Sequence, residues 1–314
     1  MTTLLVASTG GHLKQLHRLH RRLTGVAGPF RWVTFDTPQS RSLLEGEQVE
    51  FVRFVGGRDL PNVLSNAPAA HRMMRDLGVQ TIVSTGSSVA LPFFALARAR
   101  RLRCHYIESA ARSDGPSATG RLMSFIPGVL LYCQYPGWAG GRWNYRGSVF
   151  DSFVPADSGG RSAEGLARIV VTLGTFRGYG FLRLVRRLLD LLPPHAEVLW
   201  QTGDTDARGL GIEGHHALPE RDLIEAMREA DVVVAHAGVG TALAALEAGK
   251  CPVLVPRRLA QGEHVDDHQT QIAHDLDRRG LAVSVEADAL THDHLIAAAG
   301  RTVATVAKEP PFPT

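Results

Sequence analysis

The chain has few cysteines: Cys104, Cys133 and Cys251 lie far apart and are odd in number. That excludes a disulfide framework and a zinc knuckle, and it fits a reducing cytosol. It also has no apolar run of the roughly 18 residues that a membrane-spanning helix needs. The longest candidates, residues 89–97 and 125–135, are broken by Pro92, Pro127 and Gly128. The opening MTTLLVASTGG carries neither a basic n-region nor a small-residue cleavage site, so secretion is not expected. Aromatics make up 7% and are not interleaved with the scattered arginines, which argues against a nucleic-acid partner. A composition of 44% hydrophobic and 21% charged residues excludes a disordered or collagen-like polymer.

What is present suits two domains, since 314 residues exceed one ordinary core. A net charge of +3 conceals an asymmetry: residues 1–155 carry 18 basic and 9 acidic residues, the remainder 16 and 22. Only the basic half is expected to meet an anionic partner, such as an acidic lipid surface or a phosphorylated small molecule.

Short β-branched runs alternate with amphipathic stretches, the pattern of βαβ units and parallel sheets. Strands are expected at 3–8, 30–35, 81–84 and 104–107, with helices at 12–24, 61–77 and 88–101. Residues 154–165, VPADSGGRSAEG, read as a linker. Strands at 168–173, 197–202, 231–236, 251–256 and 281–285 follow, with helices at 179–192, 219–230, 239–248 and 264–279. The expected domains are therefore 1–153 and 166–314, two doubly wound α/β domains facing a central cleft where such sheets bind ligands.

Several strand ends carry residues suited to chemistry. The first ends in STGGHL, where Gly10 and Gly11 permit a tight turn and His12 sits on the first turn of the next helix. A neutral imidazole there can take a proton from a hydroxyl, although a plain strand–helix turn would look the same. The dinucleotide pattern GxGxxG is absent. Gly86, Ser87 and Ser88 in STGSSVALP offer N–H and hydroxyl donors, or simply a helix cap. Glu108, just past a strand in YIES, is a sugar-binding carboxylate, a base or a solvated loop residue. In the second half, VTLGT (171–175) and HAGVGTALAALEAG (236–249) form two glycine loops able to hold a diphosphate at a helix N-terminus. No Lys follows as in a nucleotide P-loop. In EHVDDHQ, His264 and His268 have helical i, i+4 metal-ligand spacing, but Val265 defeats HExxH and no metal is expected. Asp267, His268 and Gln269 are instead read as hydrogen-bonding groups for a polyhydroxylated ligand.

The ordered set STGGH, TGSSVALP, YIESAAR, VTLGT, HAGVGT and GEHVDDHQ resembles GT-B glycosyltransferases of the MurG group. Within it, the likeness is greatest to the two-subunit UDP-GlcNAc transferase of the dolichol pathway and its bacterial exopolysaccharide relatives. Residues 1–150 resemble the acceptor-side, membrane-recruiting subunit and 166–285 the catalytic donor-side subunit, fused in one chain. The resemblance implies that Gly10, Gly11 and His12 face the reaction centre, with His12 the base and Glu108 a second candidate. It implies that Thr172, Gly174, Thr175, His236, Gly238, Val239, Gly240 and Thr241 hold the UDP diphosphate. The backbone near Leu218 would meet the uracil edge, and Asp267, His268 and Gln269 the donor sugar. Related enzymes carry a ribose-binding Glu eight residues beyond the His of HAG; here that position is Ala244, with Glu247 one turn later.

The implied activity is inverting transfer of a hexose or N-acetylhexosamine from a UDP-sugar, without metal or other cofactor. The acceptor would be a polyprenyl-diphosphate-linked glycan or a soluble small molecule. The implied location is the cytoplasmic face of a bacterial membrane, touched peripherally through 91–103 or 121–132, where apolar residues adjoin Arg. Two other readings stay open: a UDP-GlcNAc 2-epimerase on the same architecture, and a non-catalytic UDP-sugar-binding scaffold.

Overall fold

The computed structural model describes residues 2–56, 60–156, 165–175 and 178–314. It divides into two compact units, Met1–Asp151 with Glu309–Thr314, and Ser152–Lys308.

In the first unit, parallel strands alternate with helices because each apolar run is too short to do more than cross a sheet once. The strands are β1 (Thr2–Ala7), the two-residue β2 (Leu23–Thr24), β3 (Phe30–Phe35), β4 (Val49–Val52), β5 (Val79–Gly86), β6 (Arg103–Ile107), β7 (Val129–Cys133) and β8 (Trp143–Tyr145). Seven of them form one sheet in the order β4-β3-β1-β5-β6-β7-β8. Leu4, Leu5, Val6 and Ala7 of β1 are all fully buried, as expected for a central strand covered on both faces. The helices are α1 (Gly11–Leu19), α2 (Pro38–Leu43), α3 (Leu60–Leu64), α4 (Ala67–Asp76), α5 (Ala90–Ala99) and α6 (Ala118–Ser124). Phe93 and Phe94 of α5 pack with Tyr106 and Leu131 in the core.

The second unit repeats the plan. Its strands are β9 (Phe153–Ala156), β10 (Arg168–Thr172), β11 (Glu197–Gln201), β12 (Gly214–His215), β13 (Val232–His236), β14 (Val253–Val255), β15 (Val283–Ser284) and β16 (Thr302–Thr305). The sheet order is β12-β11-β10-β13-β14-β15. Helices α7 (Leu182–Leu191), α8 (Glu220–Glu229), α9 (Val239–Glu247), α10 (His268–Arg278) and α11 (His292–Ala299) connect or follow these strands. In both sheets the order reverses beside the first strand, next to β1 in one and β10 in the other. Open parallel sheets bind ligands at the C-terminal ends flanking that reversal.

Four differences from the sequence reading have physical causes. The expected helix 61–77 is two helices, because Asn66 clamps a neighbouring backbone: Arg53 N donates to its Oδ1 at 3.0 Å and its Nδ2 donates to Arg53 O at 2.9 Å. Pro68 then restarts the chain in the first turn of α4, where a missing N–H does no harm. Of the expected linker, Phe153–Ala156 is strand β9, paired antiparallel with β16, and residues 157–164 lie outside the described ones. The helix expected at 264–279 starts only at His268, so His264 precedes it in a loop.

Finally, the C-terminal tail belongs to the first unit. Its strand β17 (Phe312–Pro313) pairs with β2. Arg22 Nε donates to Pro310 O at 2.8 Å, and Arg18 pairs with Glu309 at 2.5 Å. Phe312 is fully buried, with its ring edge-on to Tyr132 at 5.9 Å. Truncating it leaves a cavity, so Phe312→Ala is expected to destabilise the first unit by about 3 kcal/mol or more. Urea denaturation followed by tryptophan fluorescence checks this, since Trp32, Trp138 and Trp143 all lie in that unit.

Candidate active site

In the first unit the reversal point holds the turn after β1 and the end of β5. Gly10 has φ +79°, a left-handed conformation that suits glycine and lets the chain turn from β1 into α1. No side chain caps α1 and no acidic residue sits in its first turn, so its N-terminal amides keep their positive character. His12 is bound twice to Thr85: its Nδ1 lies 2.7 Å from Thr85 O, and Thr85 Oγ1 donates to His12 O at 2.7 Å. A carbonyl only accepts, so Nδ1 carries the proton and Nε2 carries the lone pair. Gly86, at φ +100°, lies against this ring; a Cβ there would stand 3.1 Å from Nδ1 and Cε1. Ser87 and Ser88 do not cap α5, which starts after Val89 without a side-chain cap; their carbonyls accept from Ala90 and Leu91 N.

Glu108 is neither a solvent-facing ligand nor a solvated loop residue: its side chain is 0% exposed. Ser109 N donates to Oε1 at 3.0 Å, and Ser117 N and Oγ donate to Oε2 at 2.9 and 3.0 Å. A Cβ on Gly120 would collide with Oε2, so glycine is needed where α6 passes over the carboxylate. Burial pushes the Glu108 carboxyl above its usual range, against the three hydrogen bonds that favour its charge. The residue ties down both ends of the 109–117 loop. Gln15 and Gln134 continue that tie. Gln15 Oε1 accepts from Ala110 N at 2.8 Å and from Gln134 Nε2 at 3.0 Å, joining α1, the loop and the end of β7.

In the second unit the reversal point falls between the ends of β10 and β13. His236 ends β13 with its ring wedged between two glycines. A Cβ on Gly174, itself at φ +78°, would lie 2.5 Å from His236 Cε1, and one on Gly238 would collide with Nε2. Only glycine lets both loops close on the imidazole. Its Nδ1 lies 3.4 Å from Thr172 O. Burial lowers its pKa to about 3, reinforced by the Arg257 cation and by His264 and His268. Gly238 is the N-cap of α9, again with no side-chain cap and no acidic residue in the first turn. The amides of Val239, Gly240 and Thr241 therefore stand at a helix start whose field favours an anion.

The structure reassigns several expected donor contacts. Thr172 is fully buried and its hydroxyl accepts from Gln201 Nε2 at 2.8 Å, whereas Thr175 is exposed. The Leu218 N–H is taken by Gln201 Oε1 at 2.9 Å. Gln269 is 3% exposed and accepts from Arg257 N at 3.0 Å. Asp267 accepts from Leu259 N at 3.0 Å. His268 is oriented by Asp266, whose Oδ1 accepts from its Nδ1. Glu247 is the last residue of α9, about 12 Å along the axis from Val239, and Ala244 is packed in the core.

Arg257 escaped the sequence reading. It is 1% exposed, its NH2 donates to Leu173 O at 2.5 Å, and its guanidinium lies 5.7 Å from the Phe181 ring centre. A buried cation thus holds the root of the Gly174 loop, with its pKa lowered by burial to about 10. Its one visible signal was a charged residue directly after the apolar run VLVP.

The fold has counterparts among known proteins. Residues 168–303 match the model of the Glycosyltransferase family 28 C-terminal domain. The UDP-N-acetylglucosamine–N-acetylmuramyl-(pentapeptide) pyrophosphoryl-undecaprenol N-acetylglucosamine transferase of Bordetella pertussis is 27% identical over 302 residues, covering 85% of this chain and 79% of that protein. The transferase of the same name from Burkholderia pseudomallei is 25% identical over 312 residues, covering 90% and 82%. The crystal structure of MurG from Acinetobacter baumannii has the same fold, with a TM-score of 0.59 at 19% identity and coverage of 96% and 94%. Fold and matches together support a GT-B glycosyltransferase built of two Rossmann-like domains. In sequence and fold the chain is similar to the MurG group of these enzymes.

The lowered His236 pKa has a measurable consequence. The folded group stays neutral from its ordinary value of 6.5 down to about 3, while the unfolded chain binds a proton in that range. Its contribution to stability is therefore complete above pH 6.5 and is lost as the pH falls toward 3, by up to about 1.4 kcal/mol per pH unit. Urea unfolding between pH 6 and pH 4 is expected to show this slope in the wild type and to lose it in His236→Asn.

Proposed function

We propose that the protein is an inverting glycosyltransferase that moves a hexose or N-acetylhexosamine from a UDP-sugar to a hydroxyl of a polyprenyl-diphosphate-linked glycan. The curated relatives support both substrates, for their names give a UDP-N-acetylglucosamine donor and a pyrophosphoryl-undecaprenol acceptor. They are transferases, which favours transfer over epimerisation. The observation that carries the mechanism is the His12–Thr85 hydrogen bond, because it leaves a basic nitrogen on the first turn of α1.

The reaction balances on groups this chain supplies. His12 Nε2 takes the proton of the acceptor hydroxyl as that oxygen forms a bond to C1 of the sugar. The bond from C1 to the diphosphate oxygen breaks, and UDP departs with the electron pair. Attack on the face opposite the leaving group turns an α-linked donor into a β-glycoside. The start of α9 carries roughly half a positive charge and aims its amides at the diphosphate, so the reaction needs no metal to neutralise the leaving group. Gly174 and Gly238 admit the phosphates to backbone distance, and His268 meets the sugar hydroxyls. Glu108 acts through the 109–117 loop as a positioning residue. Glu247 lies one turn beyond Ala244, the position of the ribose carboxylate in related enzymes.

The acceptor side offers a peripheral membrane contact. The segment 91–103 is not that surface, since Phe93 and Phe94 are fully buried. The segment 121–132 exposes Leu122, Phe125 and Leu130, with Phe125 81% exposed. Its turn is held rigidly: Arg98 Nε donates to Pro127 O at 2.9 Å, and Arg142 NH2 donates to Ile126 O and Val129 O at 3.0 and 2.8 Å. Apolar side chains on a pinned turn beside arginines fit the interface of an anionic bilayer. This surface supports a location at the cytoplasmic face of the cell membrane.

His12→Ala is expected to lower kcat by about 10²–10⁴-fold while leaving UDP affinity by calorimetry unchanged. A loss below about tenfold overturns the base assignment. Phe125→Glu is expected to weaken binding to vesicles containing anionic lipid by at least about tenfold in co-sedimentation, as loss of one buried aromatic would. Unchanged sedimentation overturns the membrane face.

A further inference from the structure

The loop ahead of α10 and the first residue of that helix form a cluster of which the proposed sugar transfer uses only His268. His264, Asp266 and His268 each turn a ligating atom toward a common point, and the three atoms lie within 4.8 Å of one another. His264 Nδ1 is 3.4 Å from Asp266 Oδ1, and the same oxygen accepts from His268 Nδ1. The two imidazoles meet edge-on, with centroids 4.7 Å apart and planes at 80°. Among the described residues this is the one such cluster of three.

We propose that these three residues bind a divalent transition-metal ion of the zinc class. Ligands about 2.0–2.2 Å from a tetrahedral zinc stand about 3.4 Å apart, the separation already present between His264 and Asp266. Two imidazoles and one carboxylate suit zinc and its neighbours in the transition series, whereas magnesium prefers oxygen ligands only. The frame is rigid on both sides of the cluster. Glu263 is paired bidentately with Arg183, both contacts at 3.0 Å, and accepts from Arg258 N at 3.0 Å. On the other side Asp267 holds Leu259 N. Burial differs along the cluster: His264 is 8% exposed, while the Asp266 side chain is 32% exposed and that of His268 17%. The ion is thus rooted in protein on the His264 side, and its fourth position opens where Asp266 meets solvent. Three protein ligands with one open position is a zinc arrangement that exchanges water for an anionic oxygen. Binding displaces the Nδ1 proton of His268 to solvent and replaces its hydrogen bond to Asp266 by coordination. Because His268 meets the donor sugar in the function proposed above, on which this clause rests, the ion inhibits transfer by taking that imidazole out of use.

The test is calorimetric titration of the chelator-stripped full chain with zinc chloride in excess magnesium. Cobalt(II) serves as a second probe, its visible bands reporting nitrogen and oxygen coordination. The wild type is expected to bind one ion by this site, with the cobalt bands present. His264→Gln and Asp266→Asn are each expected to weaken binding by at least about tenfold and to abolish the bands. If both variants bind zinc as the wild type does, the ion sits on other histidines and the proposal is overturned. No saturable binding to the wild type overturns it as well. UDP titration of the same proteins separates the two readings. UDP binding without zinc binding removes the metal site alone, and zinc binding without UDP binding removes the donor assignment alone.

Discussion

The hydrogen bond between His12 Nδ1 and the Thr85 carbonyl is the constraint on which the base proposed for the first unit depends. It spans 73 residues of sequence and joins the ends of β1 and β5, the two strands at which the sheet order reverses. A histidine at a helix start is free to choose its tautomer; this one is not, because a carbonyl accepts a proton and cannot donate one. The same bond orients the ring, since Thr85 also holds the His12 carbonyl. An imidazole of defined tautomer and defined direction follows from two contacts to backbone carbonyls.

The second unit solves a different problem by similar means. In the proposed reaction it has to bring backbone amides close to an anion without a lysine to neutralise it. The clasp of Gly174 and Gly238 on His236 removes the side chains that would stand in the way, and α9 supplies the field. Keeping His236 neutral serves that end, for burial and the Arg257 cation both oppose its protonation. Arg257 supplies positive charge from below the loop rather than through a direct ligand, as a residue 1% exposed must.

The buried polar residues around these points are scaffolding for loops. Glu108, Gln15 and Gln134 tether the 109–117 segment, while Gln201 links Thr172 to Leu218, and Gln269 and Glu263 both hold the start of the 257–269 loop. Each satisfies backbone amides that the strand ends leave unpaired, which explains polar side chains at positions that composition alone reads as ligand contacts. Loops built this way are positioned by the fold and not by what they bind.

Local pattern by itself determined the alternating β and α elements, the two-domain plan and the glycine loops at the strand ends. Four to six consecutive β-branched or leucine residues have no other place than a buried parallel strand, and β3 falls on the expected residues 30–35. The places of His12, His236 and the start of α9 near strand ends were legible for the same reason. Tertiary structure alone decided what the side chains there do. Burial turned Glu108, Thr172 and Gln269 into internal hydrogen-bond partners, and nothing in their neighbours along the chain encodes depth. Asp266 was invisible as a partner of His264 and His268 because the helix begins at His268, so the loop and not i, i+4 spacing brings them together. The tail 309–314 joined the first unit through Phe312 and Arg22, contacts about 290 residues apart, which only chain folding can close.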